Sequence, residues 1–110
     1  KNILTIFRPH HRERTIRLME DFVSTILGVP HMLLVEIYDV AGREEDTSVS
    51  SKDVIARVLA HNPRHDILFA KDLNEAEELT RAMAHQFDVI LVVGAGDADQ
   101  LARKLITNNE

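Results

Sequence analysis

A chain of 110 residues with 45% hydrophobic and 28% charged side chains has apolar material for one core and too little length for two. Its formal net charge of -5 excludes a nucleic-acid footprint as the main business of the surface, because phosphate backbones are met by basic faces, so any anion must be held locally. No apolar run reaches the roughly 18 residues of a membrane span, no signal-peptide pattern opens the chain, and cysteine is absent, so a cytoplasmic protein without membrane or disulfide chemistry is expected.

Ile3 to Phe7 (ILTIF) is a short apolar run of β type. Ile16, Met19, Phe22, Val23, Ile26 and Leu27 then recur at three- and four-residue spacing, which predicts one face of a helix that Gly28 and Pro30 stop. Met32 to Tyr38 (MLLVEIY) predicts a second strand, and its near-continuous hydrophobicity implies burial on both faces of a parallel sheet. The polar stretch DVAGREEDTSVS reads as a loop with Glu44 and Glu45 solvated. Ser51 is the expected cap of a helix that carries Val54, Ile55, Val58 and Leu59 on one face and ends at Asn62 and Pro63. Asp66 to Ala70 predicts a third strand, short enough for a sheet edge. Asn74 with Glu77 has capping-box spacing and opens a helix with Leu79 and Met83 inward. Asp88 to Val93 is the most apolar strand and is therefore expected at the centre of the sheet. Gly94, Ala95 and Gly96 turn it into a last helix, capped by Asp97, with Ala98, Leu101, Ala102 and Leu105 as the inner stripe.

Strand and helix thus alternate four times with no hairpin dipeptide between strands, which predicts an α/β fold: a Rossmann-like three-layer sandwich over residues 1–110. Right-handed crossovers favour a mainly parallel sheet of strand order 3-2-1-4 with helices on both faces. The topological switch point then falls between the first and fourth strands. Ligands of such sheets sit beyond the carboxyl ends of the strands at that point, where RPHHRERT and GAGD are expected to meet.

The stretch FRPHHRERT puts positive charge where a helix should begin, against the partial positive charge of the helix N-terminus. A bound carboxylate or phosphate reverses that penalty, with Arg14 supplying a bidentate fork; the alternative is a solvated loop paired with Glu13, Glu20 and Asp21. His10 and His11 lack a nearby third ligand for a metal and suit hydrogen bonding to a substrate better. His31, His61, His65 and His85 stand at element ends and read as surface residues. GAGD lacks the third glycine of a dinucleotide fingerprint, and the chain has no GxxxxGK[ST] phosphate loop. Its glycines would let a ligand approach the backbone. DVAGREED, after the second strand, is a third segment on the same rim.

An apolar strand ending in F-x-P-H, an R-T pair starting four residues after that His, IYDVAGRE after the next strand and a closing VVGAGD resemble, in this order, the C-terminal domain of the Mur ligases. Within that family the chain is most similar to the branch that joins L-alanine to UDP-N-acetylmuramate. A related branch attaches a recovered peptide to the same nucleotide sugar, and a stand-alone binding module of this fold is the alternative outside enzymology.

The resemblance implies a three-domain parent for peptidoglycan synthesis, with a UDP-sugar domain, a central ATPase domain and this domain bringing in the amino acid. ATP and magnesium would be held mainly by the central domain, and the central and N-terminal domains would be partners in the same chain. The sequence starts at Lys1, after the family's domain-opening segment and helix, so a fragment is expected, and without a phosphate loop it is expected to have no ligase activity of its own. By the same resemblance His10 and Arg14 match the family's P-H-x-x-x-R-T pattern, with Arg14 on the L-alanine carboxylate and His11 beside them. Tyr38, Asp39, Gly42, Arg43, Gly94, Ala95, Gly96 and Asp97 match rim segments that bind substrate. The chain departs from the common Q-P-H-R-Y-[ST]-R-T form at Arg8, His11, Arg12 and Glu13.

Overall fold

Met32, Leu33, Leu34 and Val35 are each at most 4% exposed, so the second strand has no solvent side and needs a helical layer on both faces. The computed structural model describes residues 2–9, 15, 17–37, 50–94 and 98–107. It supplies those layers from β1 (Ile3–Arg8), α1 (Met19–Leu27), β2 (His31–Val35), α2 (Ser51–His61), β3 (Asp66–Ala70), α3 (Leu73–Met83), β4 (Val89–Gly94) and α4 (Ala98–Thr107), with a 3-10 turn at Ala84–Gln86 before β4. No helix among the described residues is long and apolar enough to cross a membrane.

All strand pairs are parallel and the order is β3-β2-β1-β4, as the crossover rule predicts. Two successive steps in one direction, β1 to β2 to β3, put α1 and α2 on the same face. The return from β3 to β4 reverses direction and puts α3 on the other face, where α4 joins it. Two cores result. Met19, Val23 and Ile26 of α1 and Val54 and Val58 of α2 pack on Met32, Leu34 and Ile67. Ala76 of α3 and Leu101 of α4 pack on Leu4, Ile6, Leu33, Val35 and Ala70.

The prediction of a central β4 is overturned. β4 is an edge strand, and only Ile90 and Val92 turn toward a core. Val89, Leu91 and Val93 face the α1 side and are 40%, 49% and 42% exposed, because α1 and α2 lie over β1, β2 and β3 and stop short of β4. An apolar groove of about 320 Å³ remains there between α1 and β4, with Phe7, Phe22 and Val93 among its walls. High hydrophobicity signals burial against something; it does not say which strand has a neighbour on each side.

Boundaries shift for local reasons. The second strand ends at Val35 rather than Tyr38, because the Glu36 carboxylate folds back onto the backbone N-H groups of Ile37 and Ser51. Tyr38 lies outside the described residues. Ser50, not Ser51, caps α2: its extended backbone lets Oγ accept from Lys52 N at 2.9 Å while Asp53 accepts from Ser50 N at 2.7 Å, a capping box. Ser51 is inside the helix, fully buried, and donates to Val35 O at 2.7 Å. Asp72 rather than Asn74 caps α3, accepting from Glu75 N at 2.8 Å. The expected cap Asp97 lies outside the described residues.

The amino ends of the strands are closed by side chains. Asn2 N donates to Asp88 at 3.0 Å and Asp88 N to Asn2 O at 2.8 Å, joining the start of β1 to that of β4. His31 and Asp66, opposite in the register of β2 and β3, lie 2.6 Å apart, with the His31 ring edge-on to Phe87. His31 and His65 are accordingly half-buried rather than surface residues, whereas His61 and His85 are exposed.

Among the described residues one hydroxyl is buried without a partner. Thr80 on α3 is fully buried, and its hydroxyl has no hydrogen-bond partner among the described residues. An unmade hydrogen bond leaves the desolvation cost standing, so Thr80→Val, nearly equal in shape, is expected to stabilise the domain by about 1 kcal/mol. A thermal melt of the two proteins reads this as a rise of several degrees; a fall would show that the hydroxyl is satisfied.

Candidate functional site

The carboxyl ends of β1, β2 and β4 lead into the three segments singled out in the sequence, and each segment is anchored by described residues. Pro9 and Thr15, both fully buried, flank positions 10–14. Ile37, 5% exposed, and the buried Ser51 bracket positions 38–49. Gly94 precedes positions 95–97, and α4 follows them. His10, His11 and Arg14, then Tyr38, Asp39, Gly42 and Arg43, and then Ala95, Gly96 and Asp97 lie outside the described residues. Gly94 is the candidate residue whose placement the structure gives.

Gly94 is required by its neighbour. It stands opposite Arg8 at the last step of the β1–β4 ladder, with φ of 152°. A Cβ there would lie 2.8 Å from the Arg8 carbonyl oxygen and 3.0 Å from the Arg8 Cβ. The two strands therefore close to backbone distance where the switch point opens.

On the α3 and α4 side of this junction lies a polar cleft of about 240 Å³, lined by Arg8, Asp72, Asn74, Glu77 and Gln100 among others. Arg8 is held deep, with Nε and Nη1 buried. Glu77 is committed to Arg81, accepting from Nη2 at 2.7 Å and Nε at 3.0 Å. Asp72 is committed to the α3 cap.

The rim helices divide by how their first turns are satisfied. At α2, Glu36 Oε1 accepts from Ser51 N at 2.8 Å and the Ser50–Asp53 box takes further donors. At α3, Asp72 takes Glu75 N, and Glu75 reaches back to accept from Lys71 N at 2.8 Å. The chain's own oxygens thus occupy the positions a ligand anion would take at these two ends. Among the described residues no group of three or more His, Asp or Glu side chains is placed to hold a metal ion.

Three residues that matter here were not among the sequence candidates: Arg8, Glu36 and Asp72. Arg8 was visible only as a departure from a motif, and its pairing with Gly94 follows from register. Glu36 has a sequence signal in hindsight, an acid at the end of an apolar strand. Its partner Ser51, 15 positions on, reads in the sequence as a helix cap, and no pattern marks the pairing of the two.

Gly94→Ala is expected to cost about 2 kcal/mol or more, since it adds left-handed strain to the clash with Arg8. Gly28→Ala is the control: Gly28 has φ of -84° and its nearest added contact is 3.4 Å, so it should be tolerated. Denaturant unfolding of both variants checks the contrast; equal effects would remove the close approach as the reason for Gly94.

No family model matches the chain. Over 111 residues it is 32% identical to the UDP-N-acetylmuramate--L-alanine ligase of Caldanaerobacter subterraneus subsp. tengcongensis, a match that covers 100% of this chain and 23% of that protein. The proteins of the same description from Aquifex aeolicus and Nitrosospira multiformis are 31% and 32% identical, over 96% and 100% of this chain and 22% of each of theirs. The chain therefore spans less than a quarter of the length of these curated relatives.

Proposed function

The chain is a relative of the Mur ligases, corresponding to the C-terminal part of UDP-N-acetylmuramate--L-alanine ligases, and from that premise we propose that it is the domain that delivers L-alanine and closes over the ATP site of such an enzyme. The observation that carries this reading is the common origin of the three candidate segments at the carboxyl ends of β1, β2 and β4, around one switch point.

In the proposed reaction the UDP-N-acetylmuramate carboxylate takes the γ-phosphoryl group of ATP and ADP leaves. The L-alanine amine then attacks the acyl carbon, the C-N bond forms, phosphate departs and the amine loses a proton. ATP and magnesium belong mainly to the central domain of the parent, and no phosphate-loop pattern occurs in this chain. This chain contributes binding and orientation. Arg14 holds the L-alanine carboxylate, His10 and His11 hydrogen-bond beside it, and the segments with Tyr38, Asp39, Gly42, Arg43 and Gly94 to Asp97 line the remaining rim. Holding amine and acyl phosphate together supplies proximity, and closure of the domain excludes water.

The division of labour at the rim supports a site at the switch point. The α2 and α3 first turns already have carboxylates of this chain against them, so a ligand anion competes there with residues it cannot displace cheaply.

ADP release by the parent enzyme, with UDP-N-acetylmuramate and a panel of amino acids and peptides, tests the reading. L-alanine alone should drive turnover. Arg14→Ala should raise the L-alanine requirement by about tenfold to a hundredfold, the scale of a lost charged hydrogen bond. Turnover with a peptide in place of L-alanine would reassign the domain to the recycling branch, and an unaltered Arg14→Ala enzyme would remove Arg14 from the site. The 110 residues alone are expected to form no product from ATP, and product formation would refute the delivery role.

A further inference from the structure

We draw no further inference here: the strongest candidate, the exposed apolar face of the edge strand β4 at Val89, Leu91 and Val93 beside the groove between β4 and α1, is an unpartnered surface, and nothing in the structure shows what covers it.

Discussion

The parallel pairing of β1 with β4, from Ile3 opposite Val89 to Arg8 opposite Gly94, is the contact on which the rest of this structure depends. It joins a strand at the start of the chain to one near its end, and it brings the chain back across the sheet after β3. That reversal sends α3 and α4 to the face opposite α1 and α2, so both sides of β2 are covered. It also leaves the helices that follow β1 and β4 on opposite faces while their strands stay adjacent, which is how a crevice arises at a switch point. The pairing is fastened at both ends, by Asn2 and Asp88 below and by the close backbone approach at Gly94 above.

Around that crevice the chain spends its own polar groups unevenly. The first turns of α2 and α3 receive Glu36, Ser50, Asp53, Asp72 and Glu75. Each of those contacts satisfies a backbone donor and adds stability, and each also takes a donor away from any ligand. Glu36 serves two elements, since the oxygen that satisfies α2 also holds the strand exit.

Much of the fold was legible because two periodicities and one handedness rule act locally. Met19, Val23 and Ile26 had to share a helix face, and Met32 to Val35 had to be buried on both sides; both statements hold in the structure. The strand order 3-2-1-4, expected as the natural arrangement for right-handed crossovers, holds as well. Caps and strand ends were placed one to three residues off, because competing oxygens such as those of Ser50 and Ser51, or Asp72 and Asn74, differ in reach rather than in type. The edge position of β4 was misread, since hydrophobicity reports a wish for burial and not the presence of a neighbour. Of the candidate site, the residue types and their order along the chain were legible, while the described structure supplies Gly94 and the anchors Pro9, Thr15, Ile37 and Ser51.

The sequence by itself determined the alternation of strands and helices, the parallel sheet and the rim on which RPHHRERT, the post-β2 loop and GAGD emerge, because these depend on near neighbours and on chain chirality. Tertiary structure alone decided that Gly94 must lack a side chain, that Arg8 lies beneath a cleft between α3 and α4, and that Glu36 ties Ile37 to Ser51. Each of those depends on a distance between residues far apart in the chain, and side-chain reach of a few ångströms leaves no periodic trace in the sequence.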